Sequence, residues 1–223
     1  MNAGEPGRPP PQGQPTPPGA TANRRGGDIH ARFVFGRRVR RLAAQLGPLL
    51  PRGARILDVG CGDGTLDAMI LRERPDVTIH GVEVLVRPGA RIPVEQFDGS
   101  TIPHPAASFD TVLFVDVLHH TIDPLPLLRE ARRVAGDCIV IKDHLRQGLL
   151  AQRTLRFMDW FGNHQHGVAL PYHYLSPGEW RAAFAAAGLD VRQWSEHAGL
   201  YPWPASLLFD RRLHLVAKLT PQA

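Results

Sequence analysis

Apolar positions recur along this chain at two spacings, and the two spacings alternate. Phe35, Val39, Leu42 and Leu46 fall three and four residues apart, which predicts an amphipathic helix over about 29–46, stopped by Gly47-Pro48. The arginines of that segment, Arg37, Arg38, Arg40 and Arg41, fall on the opposite side and are expected to form a solvated face. Arg55–Val59 is a short apolar strand, followed by Gly60-Cys61-Gly62-Asp63-Gly64 and then by helical spacing through Leu66, Met69 and Ile70 up to Pro75. Further strands are predicted at Val77–Glu83, about Val94–Phe97, Phe109–Asp116 and Cys138–Lys142. Between the last two, Asp123 and Pro124 open a helix buried through Leu127, Leu128, Ala131 and Val134.

The second half continues the pattern. A helix over about 149–161 precedes an irregular stretch from Gly162 to Leu175. Ser176-Pro177-Gly178-Glu179 is a capping box, Trp180, Phe184 and Ala187 supply an apolar face, and Gly188 ends the helix. Two last strands are expected at Leu189–Trp194 and Leu213–Lys218. Strands alternating with helices imply parallel β-α units, here an open α/β sheet of about seven strands.

Composition changes this picture at the N-terminus. Residues 1–27 hold 7 of the 21 prolines and 6 of the 22 glycines, without Val, Ile, Leu or an aromatic residue. Such a segment buries too little apolar surface to offset the entropy of ordering, so it is expected to be a disordered arm before a domain over 28–223. With 43% hydrophobic residues the remainder has ample core. No apolar run approaches the ~20 residues that span a bilayer, and the start lacks a signal-peptide core. Cys61 and Cys138 offer neither a disulfide framework nor a zinc spacing, so a cytoplasmic location is expected. The net charge of +5 raises nucleic acid as a partner. Of the 26 basic residues 24 are arginine, but they are dispersed rather than gathered in a stripe with interleaved aromatics, which argues against that partner.

The glycine loop is the first chemical signal. A strand, a tight turn and a helix N-terminus present backbone N–H groups to a ligand. The spacing here is G-x-G-x-G. A dinucleotide fingerprint would need Gly or Ala where Thr65 stands, and a Walker loop would need Gly-Lys-Ser/Thr. Asp63 inside the loop would oppose a pyrophosphate, so the turn suits a ligand with no phosphate and a positive or zwitterionic part.

Ile56 to Gly64 closely resembles motif I of the class I S-adenosylmethionine-dependent methyltransferases. Glu83 lies where that family places an acid on the ribose hydroxyls, and Phe97-Asp98-Gly99 matches the segment whose acid meets the adenine amino group. Ser108 to Asp116 resembles the family's "FD-V" strand. Val117-Leu118-His119-His120 resembles the "LHH…DP" continuation of the small-molecule (type 11) branch, seen in quinone-biosynthesis methyltransferases. The likeness covers about 50–145 by motif and the rest by architecture. It implies a Rossmann-like methyltransferase fold with helices on both faces and an antiparallel final strand. It also implies S-adenosyl-L-methionine as cofactor, bound through Asp58, Gly60, Cys61, Gly62, Gly64, Glu83, Asp98, Gly99 and Asp116. Some of these have a plainer reading: Asp58 as a loop cap, Glu83 as surface charge, Asp98-Gly99 as a turn, Cys61 as a packed small residue.

A sulfonium methyl is already activated, so catalysis rests on positioning, with a base where a hydroxyl must lose its proton. His119, His120 and His144 sit at strand ends, where ligands bind in open sheets, and are the catalytic candidates. Asp143-His144 reads either as a base with its orienting acid or as a strand-end turn. The segment 149–175 is expected to form a lid-like insertion, with Trp160, His166, Tyr172 and His173 toward substrate. No ligand cluster suggests a metal. The expected function is O- or C-methylation of a small metabolite in a bacterial cytoplasm. The alternatives are an RNA methyltransferase, supported by the arginines alone, and a non-catalytic binding module. The strand-four end reads Val115-Asp116-Val117-Leu118, not the Asn/Asp-Pro-Pro-aromatic motif of N6-adenine enzymes. Acceptor atom and oligomeric state stay open.

Overall fold

In a computed structural model of the chain, residues 36–163 and 171–222 are described. Helix α1 spans 36–46, ahead of a 3-10 turn at Gly47–Leu49. Then follow β1 (Arg55–Val59), α2 (Thr65–Glu73), β2 (Thr78–Glu83), β3 (Val94–Gln96), β4 (Phe109–Val115) and a 3-10 turn at Leu118–His120. The second half holds α3 (Leu125–Val134), β5 (Ala135–His144), α4 (Ala151–Asn163), α5 (Pro177–Ala186), β6 (Leu189–Ser195), α6 (Ser206–Phe209) and β7 (His214–Pro221). The seven strands form one sheet in the order β3-β2-β1-β4-β5-β7-β6. Strands β1 to β5 pair in parallel, and β7 runs antiparallel to both neighbours, with Ile141 opposite Ala217.

The central strands read as unbroken apolar runs because both their faces are covered. Successive side chains alternate between faces, so Leu57, Val59 and Phe114 pack with Leu128 of α3 and with Trp180 and Phe184 of α5. Ile56, Leu113 and Val140 point the other way, onto Leu42 and Leu46 of α1 and Ile70 of α2. Trp180, among the largest fully buried side chains, donates its indole N–H to the His144 carbonyl at 3.1 Å, so burial leaves no orphan donor. The capping box is formed in both directions: Glu179 N donates to Ser176 Oγ at 3.3 Å, and Ser176 N donates to Glu179 Oε2 at 2.7 Å.

This order places a topological switch point between β1 and β4. From β1 the chain moves outward through β2 and β3, then crosses back to β4 on the other side. In open sheets ligands bind at the carboxyl ends of the strands beside such a point, so the turns leaving β1 and β4 frame the candidate crevice.

Several expectations need correction. Arg38 is not part of a solvated face: it ion-pairs with Asp116. Asp143 and His144 are not a turn but the last two residues of β5, which is longer at both ends than the apolar run Cys138–Lys142 implied. The 3-10 turn at Leu118–His120 and the four-residue α6 carry too few residues to show a period. The arm over 1–27, Phe35 and His166 lie outside the described residues.

Candidate functional site

The turn after β1 is shaped by what presses on it. At Gly60, φ is +78° and a Cβ would lie 2.6 Å from Val117 Cγ2, so a side chain there would collide with the turn after β4. Gly62, at φ +62°, has nothing within 4 Å of its would-be Cβ. The turn is thus tight on one side and open on the other. Cys61 packs inward, its Sγ 2.3 Å from where a Gly81 Cβ would stand, and burial followed by the neighbouring acids pushes its thiol far up, so it stays protonated.

The ends of β2 and β3 complete this side. Glu83 accepts Gly62 N–H on Oε2 at 2.8 Å and Val84 N–H on Oε1 at 2.9 Å, a fixed carboxylate with lone pairs to spare. Asp98 Oδ1 accepts from Ser100 N and Thr101 N, both at 2.7 Å, and from Ser100 Oγ at 2.9 Å; these bonds hold its carboxyl below the ordinary value. A Cβ on Gly99 would stand 3.2 Å from Val84 Cγ2, so the Glu83-Val84 and Asp98-Gly99 segments lie side by side. Beside Glu83, the apolar Val84 and Leu85 are exposed. Asp58, at the end of β1, is buried beneath the turn with Oδ1 unpartnered.

The other side of the crevice is a buried network of charges. Asp116, in the left-handed region at φ +58°, ion-pairs with Lys142 of β5 and Arg38 of α1. Burial opposes its ionisation, but the two cations outweigh burial and hold the carboxyl well below its ordinary value. In the 3-10 turn after β4, Leu118 N donates to Asp143 Oδ2 at 2.9 Å. His119 sets Nδ1 2.6 Å from Asp143 Oδ1 and Nε2 3.4 Å from Asp159 Oδ1. Asp159, on α4, also receives His144 Nε2 at 3.2 Å and the Tyr174 hydroxyl.

The three candidate histidines therefore differ in charge. Burial works against a cation at His119, yet Asp143 and Asp159 prevail and push its pKa up to about 10. His144 is lowered by burial and by the His119 cation. His120, its ring 4.1 Å from that of His119, is lowered for the same two reasons, but it is only half-buried. Asp116, His119 and His144 bring three potential ligand atoms within 4.8 Å of one another. The same Asp116 carboxylate already carries two side-chain cations, and both nitrogens of His119 face carboxylates.

The substrate candidates are not gathered in one place. Trp160 is on the solvent side of α4 beside Phe157, and Tyr172, at φ +56°, lies under the Arg156 guanidinium at 4.7 Å. His173 is half-buried. Sequence reasoning missed Asp159, Lys142, Tyr174 and Asp67. Two of these left a trace: Lys142 interrupts an apolar strand, and Asp159 continues the stripe of Ala151 and Leu155 at four-residue steps.

The ion pairs of His119 make stability depend on pH. Its folded pKa lies above the unfolded value of about 6.5, so its contribution is complete below that pH and is lost as pH rises toward about 10. His119→Gln is therefore expected to cost about 3 kcal/mol at pH 6. The gap from wild type should close by pH 10 in thermal melts, and a gap constant across that range would refute the charge assignment.

Residues 30–193 match a family described as a methyltransferase domain. The chain is 32% identical over 109 residues to the 27-O-demethylrifamycin SV methyltransferase of Amycolatopsis mediterranei, 42% of this chain and 40% of that protein. It is 36% identical over 98 residues to the ubiquinone biosynthesis O-methyltransferase of Cereibacter sphaeroides, 39% of each. The matches thus span about two fifths of these curated relatives. Among solved structures, the complex of the Haloferax volcanii Trm112 methyltransferase activator with a methyltransferase aligns with TM-score 0.62 at 18% identity. That alignment covers 91% of this chain and 96% of the other, a likeness of fold.

Proposed function

The chain belongs to the methyltransferase domain family, and from that premise we propose that it moves the methyl group of S-adenosylmethionine onto a hydroxyl oxygen of a small molecule, with His120 accepting the proton. The residues around the glycine turn fit this donor. The open side of Gly62 gives a ligand close access to backbone. The donor, when bound, supplies a methyl group activated by its sulfonium. Glu83 would hold the ribose hydroxyls with the lone pairs its backbone bonds leave free, and Asp98 would hold the adenine amino group, flanked by Val84 and Leu85. Gly60, Cys61, Gly62, Gly64 and Gly99 contribute backbone, and Asp58 serves the methionine end.

The observation that carries the hydroxyl acceptor is the contrast among the histidines. His119 is a locked cation and His144 is buried, which leaves His120 as the neutral imidazole at the rim. A neutral imidazole in that place removes a hydroxyl proton as the oxygen attacks. The Asp143–His119 pair then holds the turn rather than acting as base. Helix α4 and residues 171–175 would then serve as the lid, with half-buried Tyr172 and His173 rather than the solvent-facing Trp160 toward the acceptor. Arg38 being spent inside the protein weakens the case for an RNA substrate. Among the described residues no helix is long and apolar enough to cross a membrane, and the two free thiols suit the cytoplasm.

A panel of small phenols, hydroxyquinones and polyketide alcohols incubated with S-adenosylmethionine and read by mass spectrometry tests the proposal. Gain of one methyl on oxygen in at least one acceptor is the expected outcome. Methylation confined to carbon acids or to added RNA would overturn it.

A further inference from the structure

Two groups of buried acids flank the crevice, and they are treated differently. Asp116, Asp143 and Asp159 each face a lysine, arginine or histidine. Among the described residues, Asp58 near the end of β1 and Asp67 in the first turn of α2 face no such cation. Asp58 is 2% and Asp67 0% exposed, and Asp58 Oδ1 and both Asp67 carboxylate oxygens have no hydrogen-bond partner. The groups that face Asp58 are Asp67 and Glu83, and those that face Asp67 are Asp58 and Asp63, while the Cys61 thiol packed beside them is neutral. Two bare carboxylates buried against other acids would cost several kcal/mol. A single proton shared between them turns the clash into an O–H···O⁻ bond.

We infer that Asp67 is a further positioning residue of the donor site. It shares one proton with Asp58 beneath the glycine turn, and that proton is released to solvent when the cationic methionine end of the donor takes its place as counterion. The inference rests on the donor reading above and adds a residue to it. One side of the crevice is neutral by its own side chains, and the other is left with acids that only a ligand's cation completes. The electrostatics of the site point the same way: burial first, then the neighbouring acids, raises Asp58 well above its ordinary value, and burial raises Asp67 to about 6. A bound cation favours the ionised pair, so donor affinity rises with pH through the titration of the free pair.

The test is calorimetric titration of the full chain with S-adenosylmethionine at about pH 6.5 in two buffers of different ionisation enthalpy, phosphate and imidazole. Wild type is expected to release roughly half to one proton per donor bound, and its Kd to fall by up to about tenfold per unit rise in pH. Asp67→Asn, with Asp67→Ser as a second variant, is expected to bind the donor with almost no proton release. Saturable wild-type binding with no buffer dependence would overturn the inference, as would variants that release as many protons as wild type. A merely structural Asp67 would lower the Tm of the variants and leave their proton count unchanged. Wild type that fails to bind at all would sink the donor reading and this inference with it.

Discussion

Replacing His120 by alanine is expected to lower kcat for methyl transfer about 10²- to 10⁴-fold, the usual worth of a positioned proton acceptor. The donor Kd should stay within about twofold, because an interaction used only as the acceptor oxygen attacks does not contribute to ground-state binding. The pH profile separates a base from a packing residue. His120 is lowered by burial and by the His119 cation, so wild-type kcat/KM should rise through a pKa below 6.5 and be flat at neutral pH. In the alanine variant that limb should vanish. A variant with full kcat, or one that keeps the same limb, would pass the role to another group. The neighbouring His119 is the informative control. It is already a cation at neutral pH, so His119→Gln should reduce stability and move the His120 limb toward higher pH without abolishing it.

Lys142→Met carries the largest expected loss of stability. Lys142 is fully buried on β5, and its ammonium is one of two cations on Asp116. Methionine fills much the same volume, so the loss is electrostatic: the half-buried Asp116 carboxylate left with Arg38 alone, at the end of a buried strand, costs about 3 kcal/mol or more. For a domain of this size that lowers Tm by roughly 10 °C. Adding Asp116→Asn should restore more than half of the loss, because the anion short of one cation is gone. Arg38 tolerates this change, its side chain being 31% exposed and free to turn toward water. A double variant no better than the single one would show that Lys142 contributes by packing alone.

What the sequence made legible was local. β1, the glycine turn and α2 follow one another within twenty residues, and each is dictated by short-range chemistry: an apolar run, glycines with positive φ, a helical period. Glu83 stood out through the resemblance, at a distance from the turn that the βαβ unit sets, and the structure ties it to Gly62 by a hydrogen bond. The capping box at Ser176 was readable for the same reason. The buried charge network was not. Arg38 reaches Asp116 across 78 positions, and His119 meets Asp143 across 24. No period or motif marks such pairs, and an arginine on a polar helix face looks the same whether it meets water or an aspartate. Asp67 fell into the same gap, as an acid in the first helical turn is ordinarily there for the helix dipole. Sequence rules were broken at Lys142, a charge inside an apolar strand, and at Asp159, a charge in a buried stripe, and both belong to the network of Asp116, His119 and His144.

The measurement that bears most directly on the location of the donor site is a calorimetric titration with S-adenosylmethionine of wild type, Glu83→Ala and Gly62→Arg. Glu83→Ala removes the carboxylate that spans the turn and the end of β2. Gly62→Arg fills the open side of the turn from a position whose φ of +62° disfavours any side chain. Saturable one-site binding by wild type, lost in both variants while their folds persist, is the expected result. Wild type without saturable binding, or Glu83→Ala binding as tightly as wild type, would contradict the placement of the donor between β1 and β2.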